Sequence, residues 1–429
     1  MTKKITFICL WLTSSIIAQD TVTVMTYNLM NFGNYTSYCT TTNNNVQSKM
    51  GYLKTITHYV MPDVIGVNEV SGYDTSMFRI ILENVLNTDG ITCYKRMPRY
   101  NSSGTDIIST FFYNSNKFKF YNSNYLPTDL RDIIMLTLYY NSPDVVTQHD
   151  TVFIHFWDAH LKAGSTGSDQ DERAAETSIL MNYLNTLGTL NNSLVMGDFN
   201  VSSSSEQCFQ NLINYSNSNI RFYDPINKLG TWHDNQSMAM YHTQAAQLNS
   251  NNCTAGGGLD DRFDFILASF SVMNQLQKVS YVANSYKVIG QDGNRFNQSV
   301  DNPANYSTPS DVLTALANMS DHLPVILKLS IDQTPHIGFQ NARWENMELT
   351  PVSWKNNILV FKVSNAVTGN SIVELYDMLG NIIESQPMYL SSSRQHLSIQ
   401  TPQITKGIYI LKLRQKEVTL TAKVIKTEE

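Results

Sequence analysis

Leu194-Val195-Met196-Gly197-Asp198-Phe199-Asn200 reads as a short buried strand that stops at a glycine and then delivers two polar side chains. Three consecutive apolar residues make the strand. Gly197 marks a point where backbone can approach something closely. Asp198 and Asn200 stand two apart, so in an extended segment they face the same side. A carboxylate and an amide brought together at a cleft suit the holding of a metal ion, a water or a phosphate. Alone, the stretch fits a solvated Gly-Asp turn equally well. It gains weight because at least four other segments end the same way.

Working outward, Thr21–Tyr27 reads as a strand ending at Asn28. Val46, Met50, Leu53, Ile56 and Val60 recur at helical spacing, and Met61-Pro62-Asp63 stops that helix. Val64–Val67 is a buried strand with Glu69 just past it. Phe78, Ile81, Leu82, Val85 and Leu86 give a second amphipathic helix. Strands follow at Ser109–Tyr113, Ile133–Tyr139 and Val152–Phe156, the last running on through Asp158 to His160. Asp171–Leu187 is a helix leading to the Leu194 strand. Residues 202–258 are polar and poorly periodic. Phe263–Leu267 is a strand starting beside Asp264. After a second irregular region, Ser320-Asp321-His322-Leu323-Pro324 leads into the strand Val325–Leu329. Strands and helices alternating around one polar cluster predict an α/β layered core. Beyond a Pro- and Gly-marked linker at 332–343, short strands at 358–363, 372–376, 408–413 and 418–425 predict a separate all-β module.

The chain's 429 residues allow two or three domains, and 15% charged with 42% hydrophobic residues is a globular composition. Residues 1–18 read as a signal peptide: Lys3 and Lys4, an apolar run from Ile5 to Leu12, and Ala18 before the cleavage point. No stretch is long enough to span a bilayer as a helix. Without Lys3 and Lys4, the 30 basic residues become 28 against 36 acidic ones, a formal charge of −8. That balance argues against nonspecific coating of nucleic acid while leaving room for a local basic groove. Removing the signal also removes Cys9. The remaining Cys39, Cys93, Cys208 and Cys253 suggest two disulfides in an exported protein, with three connectivities open.

The polar residues at strand ends are Asn28, Glu69, His160, Asp198, Asn200, Asp264, Asp321 and His322. Hard oxygen ligands such as Glu69, Asp198 and Asp321 suit Mg²⁺, Mn²⁺ or Ca²⁺. Two histidines allow an acid together with a base or phosphate donor, and an Asp bonded to a His favours its charged form. This inventory points to hydrolysis of a phosphate ester by an activated water. Each residue also has a plain structural reading, as a turn former, a surface ion pair or a core histidine. His155 and Asp158 read as structural or exposed. Asp260 and Asp261 offer a second cation position but read better as a solvated turn. Tyr94-Lys95-Arg96-Met97-Pro98-Arg99-Tyr100 suits phosphate and base contact or an ordinary charged loop. Trp232, His233 and His242 suit the packing of a long loop.

Six segments, in order, resemble the endonuclease/exonuclease/phosphatase superfamily. They are Thr26-Tyr27-Asn28, the run Pro62 to Val70, Ala159-His160-Leu161, Gly197-Asp198-Phe199-Asn200, Arg262 to Leu267, and Ser320 to Val325. The resemblance implies a four-layer α/β sandwich with two mixed β-sheets over residues 19–331. It implies that Glu69 is the main metal ligand, with Asn28 and Asp321 close by, and that Asp198 orients or deprotonates the attacking water. Asn200 would bind the phosphate, His322 would contact it while held by Asp264, and His160 would be the general acid. The sequence does not place the carboxylate that usually supports that histidine, and Asn68 stands where the family commonly has Gln.

Residues 344–429 resemble the sorting domain of the type IX secretion system of Bacteroidetes, through Val373 to Gly380, Gly407 to Leu413 and Thr421 to Lys426. That implies a small all-β sandwich read by an outer-membrane translocon. The expectation is therefore a secreted or cell-surface monomer, a Mg²⁺-dependent endonuclease of DNA or RNA. A sphingomyelinase-like enzyme, a small-ester phosphatase and an inactive ligand-binding member are the alternatives.

Overall fold

The computed structural model describes residues 19–142, 151–332, 348–355, 357–364, 369–378, 381–390, 395–415 and 418–427. The expected signal peptide and residues 333–343 of the expected linker lie outside these. The chain divides into two compact units, Met1–Pro335 and His336–Glu429.

In the first unit, chain order gives β1 (Gln19–Phe32), α1 (Val46–Val60), β2 (Val64–Ser71) and α2 (Ser76–Ile81), with a π-turn at Leu82–Leu86. Then come β3 (Tyr94–Arg96), β4 (Ile107–Asn114), β5 (Phe118–Leu126), β6 (Ile133–Tyr140), β7 (Phe153–Asp158), α3 (Gly167–Leu187) and β8 (Ser193–Asp198). After α4 (Gln207–Ile213) follow β9 (Phe222–Tyr223), β10 (Asp264–Ser269), β11 (Val279–Tyr281), β12 (Lys287–Val288), α5 (Ser310–Met319) and β13 (Val325–Asp332). The first sheet runs β11-β13-β1-β2-β4-β3 with β12 also on β13, and the second runs β5-β6-β7-β8-β10-β9. Each sheet holds one parallel pair, β1 with β2 and β7 with β8, among antiparallel neighbours.

One apolar cluster takes Met25, Phe111, Phe156, Leu194, Met196 and Ile266 from both sheets and reaches Leu53 of α1 and Leu316 of α5. On the other face of the second sheet, Trp157, Val195 and Phe265 pack with Leu180, Leu184 and Phe209 of α3 and α4. The result is a four-layer α/β sandwich with two mixed β-sheets. The helices end where local chemistry stops them. Asn45 caps α1 by accepting from the Ser48 N–H, and Met61 closes it in a left-handed conformation. Thr166 and Asp169 form a capping box on α3.

The topology also explains why polar strand ends converge. The carboxyl ends of β1 and β2 lie side by side, as do those of β7 and β8. β10 runs antiparallel to β8 with Asp264 opposite Asp198, and β13 begins opposite the end of β1. Starts and ends thus meet at one rim, where open α/β sheets bind ligands.

The second unit is all antiparallel: β14 (Glu348–Lys355), β15 (Ile358–Ser364), β16 (Gly369–Tyr376), β17 (Ile382–Leu390), β18 (Gln395–Gln400), β19 (Gly407–Gln415) and β20 (Val418–Lys426). Three of these strands form one sheet, β14-β15-β18, and four another, β17-β16-β19-β20. Trp354, Phe361, Val373, Leu375 and Leu411 form the core of this small sandwich.

Several sequence expectations are corrected. Cys39 and Cys253 form a disulfide, but Cys93 and Cys208 are free thiols. Cys208 is buried on α4 in the second cluster and Cys93 packs against the first, so no second bridge joins them. The irregular regions hold α4 and α5, with shorter helical turns at Ser218–Ile220, Gln236–Tyr241 and Phe270–Met273. Asn200 is not extended: its φ is 52°, a left-handed turn that takes it off the strand.

Arg262 anchors the start of β10. Its guanidinium donates to both oxygens of Asp224, at 2.9 and 3.0 Å, and lies 4.3 Å from the Phe265 ring centroid, with both ions buried. Asp224→Ala leaves that cation unpaired and is expected to cost about 3–5 kcal/mol in chemical denaturation, while adding Arg262→Met recovers most of the loss.

Candidate active site

Asn28 is fully buried at the end of β1. Its Oδ1 accepts from the Met30 N–H, and its Nδ2 donates to Glu69 Oε1 at 2.9 Å and to Asp198 Oδ2 at 3.0 Å. One amide therefore ties a carboxylate of the first sheet to a carboxylate of the second. Beyond it, Met30 and Asn31 take positive φ, and the buried Lys49 of α1 donates to Leu29 O, Met30 O and Asn44 Oδ1. Burial lowers Lys49 to about 7, against the pull of Asp321 and Glu69.

Glu69 sits within β2 at φ 58°, where the ladder to β4 slips between Val67 and Val70. This bulge aims the side chain out of the sheet. Glu69 Oε2 accepts from the Asn31 N–H at 2.9 Å. Gly197 has φ 128°, and a Cβ there would collide with the carbonyl of Ala159. The glycine is what lets the segment carrying His160 lie against the strand carrying Asp198. Leu161 N–H then donates to Asp198 O.

Asp198 is the centre of the cluster. Its Oδ1 accepts from the Asn200 N–H at 3.0 Å, and Oδ2 lies 3.7 Å from both His160 Nε2 and His322 Nε2. Glu69 Oε1 is 3.8 Å from His160 Nε2. Asp264 Oδ2 holds His322 Nδ1 at 2.7 Å, and Ser320 Oγ links the His322 N–H to Asn28 O. Asn200 Nδ2 donates to Leu161 O. The structure thus brings Asn28, Glu69, His160, Asp198, Asn200, Asp264 and His322 together. Asp321 stands to one side: Oδ2 accepts from the Ala255 N–H at 2.8 Å and from Gln244 Nε2 at 3.5 Å, while the buried Oδ1 has no partner among the described residues.

The two histidines differ in charge. Burial opposes the charged form of His322, but Asp264, Asp198 and Asp321 together raise it well above the usual value. His160 is pushed well below it, by burial and then by Arg131 and His322, and its Nδ1 is buried with no partner among the described residues. No carboxylate among the described residues meets that nitrogen. Asp198 is raised to about 7, mainly by burial, with His322 pulling the other way.

A divalent cation fits this donor set. Glu69 and Asp198 bring carboxylate oxygens within 4.8 Å of each other beside His160; Asp198, Asp264 and His322 are as close, but the charged His322 offers a cation no lone pair. Hard carboxylate oxygens suit Mg²⁺, Mn²⁺ or Ca²⁺.

Sequence reasoning missed the supports around the site. Asn68 Oδ1 accepts from the Asp198 N–H, and its Nδ2 donates to Asp158 Oδ1 at 2.5 Å and to Ser109 Oγ. Asp158 is structural and fully buried rather than exposed, and burial raises it to about 8. Arg131 Nε and Nη2 hold the carbonyls of His160 and Leu161. Gln244 Nε2 lies 2.8 Å from His322 Nε2. None had a signal beyond a lone polar residue. The Tyr94–Tyr100 stretch is partly structural: Tyr94 and Met97 are buried, and Arg99 donates to Gly72 O. Trp232 and His242 are core residues joined through Trp232 O, and His155 bonds Thr137. His233 pairs with Asp261 at 2.8 Å, next to Asp260.

Residues 354–427 match the secretion system C-terminal sorting domain. The chain therefore carries a signal for export through the type IX secretion system to the cell surface or outside. No helix among the described residues is long and apolar enough to cross a membrane. No curated protein matches the chain. The fold is similar to truncated TDP2 of Caenorhabditis elegans, at 14% identity over 72% of this chain and 98% of that one, TM-score 0.45. It is also similar to endonuclease/exonuclease/phosphatase structures from Beutenbergia cavernae (14%, 94% and 100%, 0.41) and Bacteroides vulgatus (14%, 73% and 99%, 0.44).

A carboxyl group with a raised pKa binds its proton more tightly folded than unfolded, so its contribution to stability is present at low pH and falls as pH rises toward about 7. In metal-free protein, wild type is expected to lose stability relative to Asp198→Asn between about pH 4 and pH 7. Urea midpoints across that range check it, and a constant difference would contradict the assignment.

Proposed function

We propose that residues 19–331 form a secreted, metal-dependent phosphodiesterase, an endonuclease acting on DNA or RNA, with residues 344–429 as its export signal. What supports this is the meeting of Glu69, Asp198, His160 and the charged His322 at adjoining strand ends of two sheets. Glu69 would hold Mg²⁺, or Mn²⁺ or Ca²⁺ in its place, with the Asn28 amide positioning its carboxylate and Asp321 adding negative charge from one side. Such a cation supplies positive charge to a phosphate oxygen when bound.

The chain's own groups divide the remaining work. Asp198, raised to about 7, has a basicity matched to taking a proton from water near neutral pH. His322 is kept cationic by Asp264 and donates from Nε2 to a phosphoryl oxygen, where negative charge grows in the transition state. Asn200 keeps one amide N–H on Leu161 O and has a second for the phosphoryl group. His160 hydrogen-bonds the leaving oxygen from neutral imidazole through its Nε2–H, because no partner among the described residues meets Nδ1 to stabilise a cation, and the leaving alkoxide takes its proton from water.

A phosphatase or sphingomyelinase-like reaction would use the same centre. Purified protein with Mg²⁺ is therefore assayed on plasmid DNA, RNA, sphingomyelin vesicles and a generic diester. Hydrolysis of nucleic acid, abolished by chelation and by Glu69→Ala, is the expected result. Cleavage of none of the four sinks the reading. Within an active enzyme, His322→Gln is expected to lower kcat by about 10²–10³, because a charged donor to the developing oxyanion is lost. His160→Gln keeps a neutral donor and is expected to stay within about tenfold of wild type. Equal losses in steady-state kinetics would refute this division of roles.

A further inference from the structure

We propose that Tyr35 and Tyr73, with Tyr38 on the same loop as Tyr35, form a ledge beside the cleft on which an unpaired base of a single-stranded nucleic acid stacks. The proposal rests on the phosphodiesterase reading and names its substrate class.

The three rings are 47%, 58% and 71% exposed for Tyr35, Tyr38 and Tyr73, on the segments that directly follow β1 and β2. Those are the strands that deliver Asn28 and Glu69. A run of hydrogen bonds joins the rings' segments to the site. Glu69 Oε2 accepts from Asn31 N–H, Asn31 Oδ1 from Asn34 Nδ2, and Asp106 Oδ2 also from Asn34 Nδ2. Asp106 O in turn accepts from the N–H of Gly72. Tyr35 is therefore one residue from one end of this bridge and Tyr73 one residue from the other.

Both segments are fixed from behind. At Gly33, φ 74°, a Cβ would run into the side chain of Met77. Arg99 and Asn101 bond Gly72 O. Asn43 and Asn251 exchange side-chain bonds to each other's carbonyls, next to the Cys39–Cys253 disulfide. Exposed rings on pre-ordered backbone lose little conformational freedom when something stacks on them.

Charge decides what that something is. Residues 19–332 carry 18 lysines and arginines against 28 acidic residues. Four basic side chains bonded to the site's segments are already engaged: Lys49 on backbone carbonyls, Arg99 on Gly72 O, Arg131 on His160 O and Leu161 O, and Lys162 on Asp169 at 2.7 Å. Such a surface does not follow the phosphates of a duplex, where affinity comes from cations. Stacking tolerates any base sequence and needs a base with an open face, which a duplex does not offer. The residues exposed or half-exposed beside Tyr35 and Tyr38 in the loop, Thr36, Ser37 and Asn43, are polar, which disfavours a lipid surface.

The test uses full-length Asp198→Asn protein, so that substrate persists, and measures binding of a fluorescent single-stranded oligothymidylate. Adding Tyr35→Ala and Tyr73→Ala is expected to weaken Kd by about tenfold or more, and the matching Tyr→Phe pair to restore it. Unlabelled duplex is expected to compete poorly. An unchanged Kd in the double alanine variant, stronger competition by duplex, or tyrosine-dependent binding of sphingomyelin vesicles in place of the oligonucleotide would each overturn the ledge. Failure of the broader reading shows separately: active-site-intact protein with Mg²⁺ would then cleave neither the oligonucleotide nor a generic diester. Cleavage of the diester with no binding of the oligonucleotide overturns the ledge alone.

Discussion

A single amide holds the two halves of the site together. Asn28 Nδ2 points one N–H at Glu69 and the other at Asp198, and those carboxylates come from different sheets. Both belong to one packed surface, so they are close whatever else is bound, and like charges this near in a poorly solvated place repel strongly. A neutral amide can bridge them without cancelling their charge. What remains uncancelled is the attraction for a cation, which makes the rim where the parallel strand pairs end suited to a metal ion rather than merely polar.

The rest of the polar network arranges how that charge is carried. His322 is cationic because Asp264 and Asp198 flank it, and it offsets part of the negative field. Lys49 lies behind the turn at Met30 and offers its ammonium to carbonyls, so its main action is to hold the turn's shape. Asp158, raised to about 8, lies below Asp198 as a neutral acid at ordinary pH, which avoids a further buried charge while keeping Asn68 in place. His160 and His322 are both buried yet differ in charge, so the partners of each group, more than its depth, decide which form it keeps.

How much of this the sequence disclosed follows from the range of each interaction. The helical spacing of Val46 to Val60 and the apolar run at Leu194 are local patterns, and both elements appear where the spacing puts them. Asn28, Glu69, Asp198 and His322 stood out because each ends an apolar strand, and strand ends in this topology share a rim. Asn68, Arg131 and Gln244 carry no such mark. Each matters only for the partner it meets 29 to 130 residues away. The bulge at Glu69 and the left-handed Asn200 defeat period-two reasoning, which assumes an unbroken ladder. The helix at Ser310–Met319 was lost in a polar flank, although its buried residues Val312, Leu313, Leu316 and Met319 keep helical spacing. Counting cysteines failed for a different reason: parity says nothing about which apolar cluster each thiol occupies.

The one disulfide that forms lies where the site most needs restraint. Cys39 and Cys253 are 214 residues apart in sequence and join two irregular loops. One loop carries Asn34, which bonds Asn31 beside Glu69, and the other carries Ala255, whose N–H holds Asp321. Neither loop is long enough to bury a core of its own, so without a crosslink each would hold its end of the site mainly through hydrogen bonds. In the chain-entropy account, closing so long a loop removes about 5 kcal/mol of freedom from the unfolded chain. That restraint survives only in an oxidising space. A chain bearing a sorting domain for export is bound for such a space, and the crosslink and the address are thus two parts of one physical requirement.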